Sequence, residues 1–301
     1  MTSSELAQLT GMLAAGGPNF SDDALVVREQ FDTLLDSFPV DPTYTFDQRV
    51  IGGVPGLWLE AAEPSPSVLL YLHGGAYVVG TANGYRGLAA GLARASESAL
   101  FAIDYRLAPE HVFPAALDDA LAAYRGLLDS GLDSASITVA GDSAGGGLAL
   151  ALLVAIRDAV LPQPASAILL SPWTDLSLSG DTVTSKAEED SSLDEPGLRI
   201  SADRYLGNAS PLEPLASPLF ADLSGLPPLH IAVGSAEILL DDSTRLAARA
   251  GAAGVSVTLR IWPLMVHDWS LFAFMLSEGS ELIEEAGNFA AQHVTVGELA
   301  S

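Results

Sequence analysis

A doubly wound α/β fold, with a mostly parallel eight-stranded sheet, helices on both faces and a helical cap, follows from three features of the sequence. Predicted strands and helices alternate from residue 67 onward. Several strands, such as Ala167-Ile168-Leu169-Leu170 and Leu229-His230-Ile231-Ala232-Val233, are continuous or nearly continuous apolar runs, as a sheet covered on both faces requires. One stretch, 172–228, interrupts the alternation with seven prolines and is too long for an ordinary connection.

The elements follow in order. Residues 1–40 read as helical pieces broken at Gly16-Gly17-Pro18, with Ser21 placed to cap the second. Segments 43–50 and 56–61 form an edge hairpin. Strands over 67–72, 98–103, 136–140, 166–170, 229–233 and 255–261 complete the sheet. Helices are expected over 84–95, 115–129, 143–158, 241–253 and 269–291. The resulting division is N-terminal cap helices over 1–42, core over 43–171, a cap insertion over 172–228, and core again over 229–301.

Apolar residues make up 49% of the chain, enough for a large core. Cysteine is absent, which excludes disulfides and thiolate metal sites. Net charge is −25, from 38 acidic and 13 basic residues, and Lys186 is the single lysine. Such a surface repels nucleic acid and anionic membrane, and its plainest role is solubility. The longest apolar run, 148–156, has nine residues, against the roughly 20 of a membrane-spanning helix. Met1-Thr2-Ser3-Ser4-Glu5 lacks the basic start and apolar stretch of a signal peptide. A cytoplasmic protein with no membrane insertion and no nucleic-acid partner is expected.

The sharpest motif is Gly141-Asp142-Ser143-Ala144-Gly145-Gly146, between the strand ending at Ala140 and an apolar helix. Gly-x-Ser-x-Gly in that setting is a nucleophile elbow: a turn so tight that Ser143 stands out at the top of the sheet, near a helix N-terminus. A plain glycine turn capped by serine is the competing explanation. A serine hydroxyl needs a base. Among histidines after Ser143, His230 lies within a strand and His293 in the C-terminal tail. His267 lies in the loop between the last strand and last helix, at the sheet edge that carries the elbow. The acid is expected after strand 229–233. Asp241 and Asp242 have a sufficient role at a helix start, whereas Glu237 beside Ile238-Leu239-Leu240 has none; Glu237 is the expected partner of His267, with Asp241 the alternative.

Acyl transfer also needs N–H donors facing an oxyanion. One is the backbone of Ala144. The others belong to the loop His73-Gly74-Gly75-Ala76, whose glycines let backbone approach a substrate, so Gly74, Gly75 and Ala76 are candidates. His73 precedes the serine and is expected to pin the loop, and Asp142 to brace the elbow. Asp104 and Arg106 are expected to pair and fix their own turn.

Together, Leu72-His73-Gly74-Gly75-Ala76-Tyr77, Asp104-Tyr105-Arg106-Leu107-Ala108-Pro109-Glu110 and the elbow motif resemble the hormone-sensitive-lipase-like (bacterial family IV) group of α/β-hydrolase carboxylesterases, from about residue 43 to the last helix. Two positions depart from the family pattern. Ala76 stands where a third glycine is usual, and Glu237-Ile238-Leu239 stands where Asp-Pro-Leu is usual. The resemblance implies hydrolysis of short- to medium-chain acyl esters through an acyl-enzyme on Ser143, with no metal or organic cofactor. It makes Asp104–Pro109 a support for the oxyanion loop. A lactone presents the same carbonyl and is an alternative substrate. A catalytically inactive binding protein on the same fold is the alternative of another class. Tyr77, Trp173, Val183, Tyr205 and Leu206 are the expected lining of the substrate pocket. Relatives pair through the last strand, so a homodimer through 255–261 is expected.

Overall fold

A computed structural model describes residues 3–60 and 65–295. Ala61, the end of the second hairpin strand expected from sequence, lies outside the described residues, as do 1–2 and 296–301.

The sheet has eight strands: β1 (Phe46–Ile51), β2 (Val54–Leu59), β3 (Val68–Leu72), β4 (Ala99–Ile103), β5 (Ile137–Asp142), β6 (Ser166–Leu170), β7 (Leu229–Gly234) and β8 (Val257–Trp262). Their order is β1-β2-β4-β3-β5-β6-β7-β8. β2 is antiparallel to β1 and β4, and every other pairing is parallel. β3 through β7 are buried along their whole length, which explains their apolar composition.

The pleat sends alternate side chains to two helical layers. Val68, Leu70 and Leu72 of β3 belong to the buried layer that includes α4 (Ala115–Asp129), α5 (Ser143–Asp158) and α8 (Leu240–Ala252). Leu69 and Tyr71 pack with α3 (Arg86–Ala95) and α9 (Ser277–His293). Each buried leucine contributes roughly 1.5–3 kcal/mol. Succession along the sheet reverses at β3: β4 lies on one side and β5 on the other. The crevice at the C-terminal ends of β3 and β5 is therefore a topological switch point, where α/β sheets take ligands.

Above that edge lie α1 (Ser4–Ala14), α2 (Ala24–Asp36) and the 172–228 stretch, which carries α6 (Thr182–Ser185) and α7 (Glu195–Leu206). Among the described residues no helix is long and apolar enough to cross a membrane.

Three local expectations are corrected. Asp23, not Ser21, caps α2, its Oδ1 accepting from the Leu25 N–H at 3.0 Å. The Ser21 N–H donates instead to Asn19 Oδ1. Asp104 and Arg106 do not pair: Asp104 Oδ1 accepts from the Ala82 N–H, and Arg106 grips Asp119. Residues 269–291 are not one helix. A 3-10 turn, Trp269–Phe272, precedes α9. Trp269 and Phe272 turn inward against Trp262 and Phe38, and α9 restarts at Ser277, whose N–H and hydroxyl both donate to Glu5 of α1.

Candidate active site

β5 passes into α5 without a loop, and the turn forces Ser143 into the left-handed region, φ 51°. A missing side chain two residues on makes room for it: a Cβ on Gly145 would sit 2.0 Å from the Leu72 carbonyl oxygen and 2.5 Å from that of His73. The helix start is thus pressed onto the end of β3. The Ser143 carbonyl accepts from the Trp173 N–H at 2.8 Å, which fixes the elbow from the other side.

Ser143 Oγ lies 2.9 Å from His267 Nε2, and His267 Nδ1 lies 2.8 Å from Glu237 Oε2. Glu237 is completely buried. Its Oε1 accepts from the Ser171 hydroxyl at 2.7 Å and the Gly234 N–H at 2.5 Å. Burial pushes its carboxyl up to about 7, opposed by the imidazole and these donors. Because Glu237 only accepts when ionised, the Nδ1 facing it carries the proton, which leaves Nε2 to accept from Ser143. Burial alone would lower the His267 pKa, but Asp268 and Glu237 together hold it well above the ordinary imidazole value. The alternative acid, Asp241, accepts instead from the Thr182 N–H of the insertion. Neighbouring Asp242 accepts from the Thr174 and Asp175 N–H groups.

The His73–Ala76 loop corrects one expected donor. The Gly74 N–H points at Asp142 Oδ1, 3.0 Å away, and is not free for a substrate. Asp142 also accepts from the Tyr71 hydroxyl at 2.5 Å, so it ties the loop to the elbow. The N–H groups of Gly75 and Ala76 have no acceptor among the described residues. Gly75 has φ 108°, and a Cβ there would sit 2.3 Å from the Val79 carbonyl oxygen. Ala76, at φ 52°, shows that the left-handed turn tolerates a methyl group. The Ala144 N–H belongs to the first turn of α5, where helix geometry supplies no acceptor. His73 is stacked between Tyr85 and Tyr105, with Nδ1 2.7 Å from the Gly74 carbonyl. Burial lowers its pKa to about 4, so it stays neutral and pins the loop.

A cavity of ≈ 300 Å³ opens directly over Ser143 and His267. Its walls come from α1 and α2 (Met12, Leu13, Phe31, Leu34, Leu35), the link between them (Phe20), segment 191–198, and Leu271 and Phe272. None of the five residues expected from sequence lines it. Tyr77, Trp173, Val183, Tyr205 and Leu206 are core residues, with the Tyr77 and Tyr205 rings stacked at 3.8 Å. Aromatics beside a glycine-rich loop are good core formers, and here packing claimed them. His230 is a buried core residue with neither ring nitrogen hydrogen-bonded. His293 closes α9 against the Phe289 carbonyl.

Sequence alone missed three contributors. Ser171 holds the acid. Asp190 accepts from the Ile238 N–H at 2.8 Å and from those of Ser192 and Leu193, so it joins the cavity wall to the acid loop. Within Glu188-Glu189-Asp190 only the last turns inward, and an acidic run gives no sign of that. Asp268 places Oδ2 3.2 Å from His267 Nε2. Its adjacency to His267 was the available signal.

A sequence profile of the alpha/beta hydrolase fold matches residues 69–271. An acetyl-hydrolase of Streptomyces hygroscopicus is 46% identical over 243 residues, covering 81% of this chain and 81% of its own. An esterase of Acinetobacter venetianus is 34% identical over 273 residues, 90% of this chain and 89% of its own. The crystal structure of an esterase from the bacterial hormone-sensitive lipase family superposes with a TM-score of 0.94 at 42% identity, over 98% of this chain and 100% of that one. With this fold and these similarities, the chain belongs to the alpha/beta hydrolase fold family, within the bacterial hormone-sensitive-lipase-like group of carboxylesterases.

Proposed function

We propose that the chain hydrolyses short- to medium-chain acyl esters through an acyl-enzyme on Ser143. The observation that carries this is the continuous relay Ser143–His267–Glu237, with contacts of 2.9 and 2.8 Å, beneath a mainly apolar cavity. Ser143 attacks the ester carbonyl while His267 Nε2 takes its proton. The tetrahedral oxyanion meets the N–H groups of Gly75, Ala76 and Ala144. Imidazolium, stabilised by Glu237, protonates the leaving alcohol, and water then repeats the sequence on the acyl-enzyme. The cavity volume of ≈ 300 Å³ suits a short ester better than a triglyceride. A small lactone fits the same space. The relatives, an acetyl-hydrolase and an esterase, agree with the short-acyl assignment.

The test is Ser143→Ala with 4-nitrophenyl butyrate, together with mass spectrometry after treatment with a serine-reactive organophosphate. The rate should fall at least ~10⁴-fold with the fold retained, and the label should sit on Ser143. Undiminished turnover, or labelling elsewhere, would overturn the assignment.

The proposal extends to organisation. Residues 1–42 and 172–228 act as one cap over the core formed by 43–171 and 229–301, supported by Arg204 of α7 donating to the Phe20 and Asp22 carbonyls. β8 ends the sheet with Ile261 42% exposed, which supports a homodimer through strand addition; monomer alone in light scattering at micromolar concentration would remove it. The expected cytoplasmic location belongs to the same proposal, and cell fractionation tests it.

A further inference from the structure

The cavity floor holds a second carboxylate that the proton relay does not use. Asp268 follows His267 in a left-handed turn, φ 51°. Its side chain is 10% exposed, and its Oδ2 lies 3.2 Å from His267 Nε2, the same nitrogen that faces Ser143 Oγ. It lines the cavity, and its other oxygen, Oδ1, is buried without a hydrogen-bond partner. Asp142 Oδ2, behind the elbow, is likewise buried and unpartnered. Among the described residues no arginine or lysine lines the cavity. A buried carboxylate without a full set of donors is unfavourable until a donor or cation reaches it. It also opposes the oxyanion that the site must stabilise, so it needs a role of its own.

We propose that Asp268 determines specificity on the alcohol side of the ester, favouring alcohols that carry a hydroxyl or ammonium donor and rejecting those that carry a carboxylate; this rests on the ester-hydrolase assignment above. Geometry selects the side. Nε2 hands its proton to the leaving oxygen, which must come within about 3 Å of it. Asp268 Oδ2 occupies the same neighbourhood, so carboxylate and leaving oxygen lie within about 6 Å of each other. The first atoms of the alcohol therefore pass beside Asp268, whereas the acyl chain extends from the other side of the carbonyl. A donor two or three atoms along the alcohol hydrogen-bonds Oδ2, the carboxylate oxygen that is not enclosed. An anion at that place meets a like charge within about 6 Å in a partly dry site, a penalty of roughly a hundredfold or more in rate.

The test uses three butyrate esters of similar size: propyl, 2-hydroxyethyl, and the anionic butyryl glycolate. Each is measured with wild type, Asp268→Asn and Asp268→Val. Ratios of kcat/KM within one enzyme cancel any general change in activity. Wild type should prefer the hydroxyethyl ester over propyl by roughly tenfold, and propyl over the glycolate ester by roughly a hundredfold. Asp268→Asn, nearly the same shape without the charge, should relieve most of the penalty on the anion. Asp268→Val should also bring the hydroxyethyl and propyl esters to near parity; if it does not fold, the asparagine variant decides alone. Unchanged ratios in Asp268→Asn would overturn the proposal. If wild type hydrolyses none of these esters, nor 4-nitrophenyl butyrate, the ester-hydrolase assignment itself fails, and this inference with it.

Discussion

The floor and the roof of the cavity are held by different means. In the floor, backbone meets backbone. Gly145 leaves no room for a side chain against the Leu72 and His73 carbonyls, Ser143 is locked in a left-handed turn, and Glu237 accepts from three donors. In the roof, side chains do the tethering. Arg204 reaches the Phe20 and Asp22 carbonyls, Arg28 of α2 reaches the Val78 and Ala108 carbonyls and Glu110, and Glu5 of α1 reaches Ser277. Outward-facing Leu25 of α2 is 66% exposed, so that helix is packed on one side only. Backbone contacts are unforgiving of displacement, whereas partly exposed tethers contribute about 1 kcal/mol each. In this reading the floor sets the chemistry, and the roof, together with Asp268 at the floor's edge, sets what enters.

The largest effect expected of this contrast lies in the floor. Glu237→Gln preserves shape but presents an amide to Nδ1, which favours the wrong imidazole tautomer. kcat should fall about 10³–10⁴-fold with little change in KM, measured by steady-state kinetics on a butyrate ester. Gly145→Ala comes next. Its methyl group would meet carbonyl oxygens and nothing flexible, so about 3 kcal/mol or more of stability should be lost, lowering Tm by roughly 5–10 °C. A Tm within a degree or two of wild type would show that the floor yields more than its contacts imply.

At the boundary, Asp268→Asn should move the acid limb of kcat/KM. In the proposed mechanism the base is neutral imidazole, so activity should rise with pH through the His267 pKa. Asp268 and Glu237 hold that pKa above its ordinary value against burial. Removing one carboxylate lowers it, and the limb should shift toward acid. Glu237, Asp190 and Asp142, the other carboxylates coupled to His267, are unchanged in this variant. A stationary limb would mean that Asp268 does not share the proton at Nε2. The smallest effect belongs to the roof. Arg204→Ala should cost about 1 kcal/mol, raise KM for longer acyl esters and leave kcat nearly intact. A fall in kcat comparable with that of Glu237→Gln would break the distinction between floor and roof.

The elbow, His267 and Glu237 were legible in sequence because each is bound to a local rule. The serine needs a glycine-permitted turn between strand and helix, the histidine must follow the last strand, and an acid without a capping role stands out. The glycine-rich oxyanion loop was legible as a whole but not donor by donor. Gly74 looks equivalent to Gly75 until Asp142, 68 residues away in the chain, accepts its N–H. The five expected pocket residues illustrate the opposite limit. Large apolar side chains near the site carry no mark that separates lining from core, and packing density assigned them to the core.

Local periodicity and turn chemistry in the sequence were enough to indicate the strands and most helices and to nominate Ser143, Glu237 and His267 for the relay, since those signals lie among neighbours a few positions apart. Tertiary structure alone decided the spatial order of the strands, the helices and loop that enclose the cavity, the inward turn of Asp190, and the second carboxylate beside Nε2. These depend on contacts between distant segments, where burial and donor supply choose among side chains that look alike in sequence.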